Sequence, residues 1–241
     1  MAAEPQSARE SISDFRASVV VVAAGLSSRM GGQDKTFTRL RGIPLIAHTL
    51  SHFQSCSMIE DIVLVLSQNN LERGREIVHE HAITKVSRVT SGGARRQDSV
   101  QNGLKALGPC QWVLVHDGAR PCLDQALLKR GMSAVMETGA AVAGVPVKDT
   151  IKTVSPEYLV TGTPARETLW AAQTPQLFRY DLLLKAHQTC SETMTDDAAI
   201  VESRGHLVKI FLGSYENLKV TTPEDLILVE ALMNAKSAAN A

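Results

Sequence analysis

From residue 18 onward the hydrophobic positions fall into two alternating rhythms. One consists of short, unbroken apolar runs: Ser18–Ala23, Asp61–Leu66, Lys85–Thr90, Trp112–His116 and Ala140–Val147. Runs that do not alternate polar with apolar predict strands covered on both faces, as in a parallel sheet. The other rhythm is helical. Pro44–Gln54 is apolar at positions 45, 46, 50 and 53, and Asn69–His81 is amphipathic behind a capping Asn69 or Asn70. Ser99–Leu107 follows Asp98, which the pattern predicts as its N-cap, and Leu123–Thr138 has Asp124 near its start. Strand and helix in strict succession predict right-handed crossovers. The fold class expected is α/β, a Rossmann-like, doubly wound, mostly parallel sheet that binds ligands at the carboxyl ends of its strands.

The rhythm weakens between Lys148 and Gln173. Thr150–Val154 and Tyr158–Thr161 around Ser155-Pro156 predict a hairpin, and an excursion of this length predicts a lid or an interaction arm. Helices return near 179–189 and 196–204, a strand at 207–212, and a helix from Pro223 to Met233 capped by Thr222. Residues 1–17 are polar and of mixed charge and read as a mobile N-terminal extension, leaving a single domain over 18–236.

Composition narrows the function. The 25 basic residues balance the 25 acidic ones, which argues against a nucleic-acid partner, and 4% aromatic content argues against a base-stacking surface. The first apolar run, Val19–Ala24, is too short for a signal peptide core or a membrane span, so a cytoplasmic protein with no membrane partner is expected. The 4 cysteines form no CxxC pair, which suits reduced thiols in a reducing compartment. The neutral balance is an average. Arg29, Lys35, Arg39 and Arg41 cluster in one stretch and Lys85, Arg88, Arg95 and Arg96 in another, as expected of loops that grip small phosphates.

Two constellations carry chemistry. After the first strand comes Ala23-Ala24-Gly25, then Arg29-Met30 and Lys35. Small residues let backbone N–H groups approach phosphate oxygens, with Arg29 and Lys35 adding charge, although the spacing is neither a P-loop nor GxGxxG. The alternative is a flexible turn with solvated charges. The second constellation is His116-Asp117-Gly118-Ala119-Arg120-Pro121. Asp117 ends a buried strand and can hold Mg²⁺, which needs only one or two carboxylates beside phosphate oxygens. The alternative is a helix cap. His116 reads as packed rather than catalytic.

The first loop resembles the signature of nucleotidyltransferases, and the second closely resembles the HDAARP motif of the 2-C-methyl-D-erythritol 4-phosphate cytidylyltransferases. Gly118 stands where that family has Ala, a change expected to be tolerated. Gly92-Gly93-Ala94-Arg95-Arg96-Gln97-Asp98-Ser99-Val100 is similar to its GG-x-x-R-x-x-SV loop. Val147–Lys152, Thr174-Pro175-Gln176 and Asn217–Asp225 extend the resemblance over residues 18 to 235.

The resemblance implies cytidylyl transfer from CTP to a sugar-alcohol phosphate in isoprenoid precursor synthesis, on a nucleotide-diphospho-sugar transferase fold with a protruding dimerisation arm at 148–173. It implies Arg29, Lys35, Asp117 and Lys219 as catalytic. Ala23, Ala24, Gly25, Gly93 and Ser99 would bind the nucleotide. Arg120, Thr150, Arg166, Thr174 and Lys219 would bind the second substrate, with Thr150 and Arg166 reaching a partner's site in a homodimer. Asp117 and Glu216 would hold Mg²⁺ or another divalent cation, Glu216 standing where the family usually has Asp. Three rivals share the fold: ribitol 5-phosphate cytidylyltransferase, a molybdenum-cofactor nucleotidyltransferase (suggested by Asp34 before Lys35, where the cytidylyltransferases have Pro), and a non-catalytic nucleotide-binding regulator.

Overall fold

The computed structural model describes residues 15–25 and 35–239. Arg29 and Asp34, named above, lie outside the described residues. The backbone forms a seven-stranded sheet in the order β11-β7-β10-β6-β1-β4-β5. Its members are β1 (Ala17–Ala23), β4 (Ile59–Leu66), β5 (Val86–Ser91), β6 (Trp112–Asp117), β7 (Ala140–Pro146), β10 (Trp170–Arg179) and β11 (Lys209–Leu212). All pairings are parallel except those of β10, which runs antiparallel between β6 and β7. The short strands β2 (Arg39–Leu40) and β3 (Ile43–Pro44) form one hairpin, β8 (Thr153–Val154) and β9 (Val160–Gly162) another.

The unbroken valine run of β1 serves two cores at once, because successive side chains leave opposite faces of a strand. Val19 and Val21 join the core beneath α1 (Leu45–Gln54), α2 (Leu71–Glu80) and α4 (Gln125–Thr138). Val20 joins the core beneath α3 (Arg96–Leu107), α5 (Tyr180–Thr189) and α6 (Asp197–Glu202). Each such buried valine removes enough apolar surface to contribute about 1.5–3 kcal/mol. A third, smaller cluster seats α7 (Pro223–Ala239) through Val229 on Leu45, Ala119 and Val220.

Several local expectations change. Asp98 is not the N-cap of α3. The helix starts earlier, Arg95 takes the cap position, and Asp98 one turn inside accepts the Arg95 N–H at 3.0 Å. A carboxylate at the third helical position satisfies that orphan donor as well as a cap residue does, and the pattern alone does not separate the two. Asp124 does cap α4, accepting the Leu127 N–H at 2.6 Å. Asn70 takes the N-cap position of α2 without a side-chain capping bond. The domain begins before residue 18: Phe15 is buried and stacks on Trp112, and Ala17 opens β1. The hairpin at 153–162 is present, but Trp170–Gln173 leaves the expected arm and belongs to β10, bonded to β7 as far as Pro146. No helix among the described residues is long and apolar enough to cross a membrane.

Candidate active site around Asp117

The strand order reverses at β1. The chain runs outward from β1 to β4 and β5, then returns to place β6 on the other side. A crevice therefore opens between the carboxyl ends of β1 and β6, where Val22 and Asp117 are register partners. Beyond this point the Gly118 N–H donates to the Val22 carbonyl at 2.8 Å. The two chains lie so close here that a Cβ on Gly118 would stand 2.8 Å from both the Ala23 Cβ and the Ile46 Cδ1. Glycine in place of the family's alanine suits this packing, where a methyl at 118 would be crowded. Ile46 fills the volume that the alanine methyl would take.

Asp117 is nearly enclosed, and three cations converge on it. Lys219 Nζ lies 3.0 Å and Arg120 Nε 3.2 Å from Oδ2, and Arg96 Nε lies 3.6 Å from Oδ1. Burial by itself would raise this carboxyl's pKa. The facing Lys219, Arg96 and Arg120 outweigh it and hold the group well below the usual carboxylate range. Arg96 also contacts a second carboxylate, with Nη1 2.7 Å from Asp197 Oδ2. Burial pulls the Arg96 guanidinium toward a lower pKa, and Asp197 with Asp117 more than reverses this. Lys219, Arg120 and Arg96 thus converge on Asp117, with Arg96 shared between it and Asp197. Lys219 is the most open of the group, at 38% side-chain exposure, and is best placed to meet an anion from solvent.

β10 and the loop before α7 lock this cluster in place. The Asp117 N–H donates to the Thr174 hydroxyl at 3.0 Å, beside a cis Thr174-Pro175 peptide. Asn217 Nδ2 donates to the Thr174 carbonyl at 2.8 Å, and Arg120 Nη1 donates to the Asn217 carbonyl at 2.7 Å. His116, fully buried, is pushed down to about 3, chiefly by desolvation, and stays neutral as expected of a packed residue.

The loop after β5 forms the opposite wall. Gly92 lies against β1, where a Cβ would meet the Ala24 Cβ at 2.3 Å and the Ser99 Oγ at 2.6 Å. Ser99 Oγ accepts the Gly93 N–H at 3.1 Å and donates to the Arg95 carbonyl at 3.2 Å. The hydroxyl proton is committed inside the loop, so Ser99 shapes the wall that Gly93 presents. Ala24 and Gly25 continue this wall from the end of β1, and Lys35 opens the single helical turn that leads into β2.

Other expected residues lie apart from Asp117. Glu216 Oε2 pairs with Lys236 Nζ of α7 at 2.8 Å. No cluster of three or more potential metal ligands occurs among the described residues. Thr150 and Arg166 are exposed on the arm, and Arg166 Nη1 donates to the Lys148 carbonyl at 3.0 Å. The two basic stretches also disperse. Arg39 and Arg41 hydrogen-bond to the Gly42 carbonyl and to Ser237, Lys85 to the Cys56 carbonyl and Arg95 to Asp98. Of the second stretch Arg96 alone reaches Asp117. Sequence reasoning counted Arg96 only among the basic residues of a phosphate-gripping loop and gave no role to Asn217 or Asp197. Arg96 and Asn217 were at least visible as members of quoted motifs.

The profile of the family described as IspD, 2-C-methyl-D-erythritol 4-phosphate cytidylyltransferase, matches residues 17–235. The chain belongs to this family. A cytidylyltransferase of that name from Dehalococcoides mccartyi is 54% identical over 214 residues, covering 89% of this chain and 94% of the relative. One from Alkaliphilus oremlandii is 44% identical over 227 residues, covering 92% and 96%. Among solved structures, the Anaerococcus prevotii 4-diphosphocytidyl-2C-methyl-D-erythritol synthase superposes with a TM-score of 0.81 at 27% identity, covering 92% of this chain and 98% of that one. The Thermus thermophilus 2-C-methyl-D-erythritol 4-phosphate cytidylyltransferase gives 0.74 at 32% identity, covering 90% and 98%. The molybdenum-cofactor reading suggested by Asp34 has no counterpart in these matches. As a member of the cytidylyltransferase family the chain is a nucleotidyltransferase enzyme.

Proposed function

We propose that this chain transfers the cytidylyl group of CTP to 2-C-methyl-D-erythritol 4-phosphate, releasing pyrophosphate, in the non-mevalonate route to isoprenoid precursors. The observation that carries the reading is the cation-encircled Asp117 at the β1–β6 crossover, within a chain that belongs to the cytidylyltransferase family. A phosphate oxygen of the alcohol phosphate attacks the α-phosphorus of CTP, and the bond to the pyrophosphate oxygen breaks. The nucleophile is already anionic, so the protein needs to align two anions and offset their charge rather than remove a proton. Lys219 and Arg120 supply that charge beside Asp117, with Arg29 and Lys35 on the triphosphate side. The backbone of Ala23, Ala24, Gly25 and Gly93 lines the nucleotide, and Ser99 acts by fixing Gly93.

A divalent cation, Mg²⁺ for preference, fits this donor set only as a shared ligand. Asp117 would hold it together with substrate phosphate oxygens, which is sufficient for Mg²⁺, while Glu216 is engaged by Lys236. Bound there, the ion would offset phosphate charge.

The second substrate's phosphate is taken by Thr174 nearby and by Thr150 and Arg166 from the arm of another copy of the chain. The arm's own exposed Tyr158, Leu159 and Val160 favour burial against that copy. We place the enzyme in the cytoplasm, as four unbridged thiols suit. Pyrophosphate release from CTP with 2-C-methyl-D-erythritol 4-phosphate, compared with ribitol 5-phosphate, tests the substrate. Release with the first and little with the second is expected, and none with either overturns the reading. Mixing Asp117→Asn and Arg166→Ala chains, assayed at an alcohol-phosphate concentration far below the raised KM so that each alone is nearly silent, tests the shared site. Random exchange leaves about a quarter of the sites intact, and recovery of no activity overturns the crossing arm.

A further inference from the structure

Asp197 takes no part in the site as described so far, yet it is completely buried and bonded to a residue that is. It opens α6, on the far side of Arg96 from Asp117. Its Oδ2 accepts Arg96 Nη1 at 2.7 Å, and its Oδ1 lies 3.0 Å from Nε2 of the buried His187 in α5. The side-chain oxygen Oε1 of Gln176, from the strand that also carries Thr174, accepts the Asp197 N–H at 3.1 Å and the Ala198 N–H at 3.0 Å. Gln176 Nε2 in turn donates to Asp196 Oδ2 at 2.8 Å, and Asp196 caps the helix through the Ala199 N–H at 2.9 Å. The carboxylate is therefore fixed in position before Arg96 is considered.

An ionised carboxylate with no access to water is costly unless it is paired and hydrogen-bonded. Asp197 resolves this by holding one end of a guanidinium whose other edge faces Asp117. The guanidinium is a rigid planar fork, so anchoring one nitrogen sets the orientation of the rest. At 3.6 Å, Arg96 Nε and Asp117 Oδ1 make an ion pair longer than a hydrogen bond. Without its anchor, Arg96 could collapse fully onto Asp117, compete with Lys219 and Arg120, and quench the carboxylate.

We propose that Asp197 is a positioning residue for cytidylyl transfer: it touches no substrate, but through Arg96 it sets the orientation of Asp117, with His187 steadying its second oxygen. The inference rests on Asp117 being the centre of the site, and the test separates the two claims. Asp117→Asn, Asp197→Asn, Arg96→Met and the Arg96→Met/Asp197→Asn double variant are compared for kcat and for KM of CTP, each at a temperature where circular dichroism shows it folded.

For Asp197→Asn we expect kcat to fall about 10- to 100-fold, as when an orienting partner is removed from a reactive group. The KM for CTP should stay within about 3-fold. The double variant should fall no further than Arg96→Met alone, because both changes break one chain of contacts. Multiplying losses, or an unchanged kcat in Asp197→Asn, overturns the proposal. An active Asp117→Asn overturns the site assignment instead. If Asp197→Asn does not fold, His187→Leu carries the test. It should lose about 10-fold in kcat, the low end of what one hydrogen bond to a charged group is worth, with recovery in His187→Gln, whose amide can still donate. Equal activity in His187→Leu and the unmodified chain overturns the proposal.

Discussion

The crevice at Asp117 and the arm at 148–173 differ in how far one chain satisfies its own residues. Around Asp117 the described charges pair with one another. Asp117 meets three cations, Arg96 bridges two carboxylates, and Thr174, Asn217 and Arg120 hydrogen-bond across three segments of chain. On the arm between Asp149 and Leu169 the side-chain contacts are local and sparse. Lys152 bonds Thr163, Thr161 bonds Thr153 and Arg166 bonds a backbone carbonyl, while Tyr158 is 88% exposed and Leu159 69%. Apolar residues left open on a segment that holds its own hairpin shape belong to a surface meant for covering. The difference accords with the proposed division of labour, in which transfer chemistry is assembled within one chain and recognition of the second substrate is completed by another.

Variants at the two regions should therefore fail in different ways. The largest effect is expected for Asp117→Asn. With the carboxylate removed, three cations face one another, and kcat should fall by about 10²–10³ in steady-state pyrophosphate release. A smaller loss would mean that the crevice is not the reacting centre. Next comes Arg166→Ala, with a rise of about 10- to 100-fold in KM for the alcohol phosphate, the loss of a charge-assisted phosphate contact. Thermal stability should not change, because the side chain is exposed. A drop in melting temperature would show that the arm matters to the fold of its own chain.

Gly118→Ala probes the tightness of the crevice. Its Cβ must displace Ile46 or the end of β1, an overpacking that costs about 1–3 kcal/mol in denaturant unfolding. The smallest effect is a pH dependence carried by His52. Desolvation holds its pKa below the ordinary value, partly offset by its bond to the Pro121 carbonyl. The unfolded chain therefore binds a proton that the folded chain refuses. Stability is lost as pH falls below the ordinary imidazole range, and His52→Gln should remove a small part of that loss in urea titrations between about pH 7 and 5, the buried His116 carrying more of it. An unaltered slope would assign the loss to other groups.

Much of this was legible in the chain. The β1, β4 and β6 runs stood out because strands covered on both faces must be apolar throughout. The Asp124 cap stood out because a short acceptor before a helical rhythm has few other uses. β10 did not stand out. Trp170–Arg179 contains Pro175 and no alternation, and only its place between β6 and β7 makes it a strand. Glu216 looked like a metal ligand from its neighbours in sequence, but Lys236, twenty residues further along on α7, claims it. Asp197 gave only a helix-start signal.

The sequence by itself determined the fold class, the position of the crevice at the end of β6, and membership in the cytidylyltransferase family. Backbone periodicity and motif order are local properties written along one dimension. The tertiary structure alone decided which charges meet. Arg96 and not Lys85, Arg88 or Arg95 reaches Asp117, Ser99 is committed to Gly93, and Asp197 stands behind Arg96. An ion pair depends on distances between side chains that may be a hundred positions apart, and those distances exist only after the sheet has brought its strand ends together.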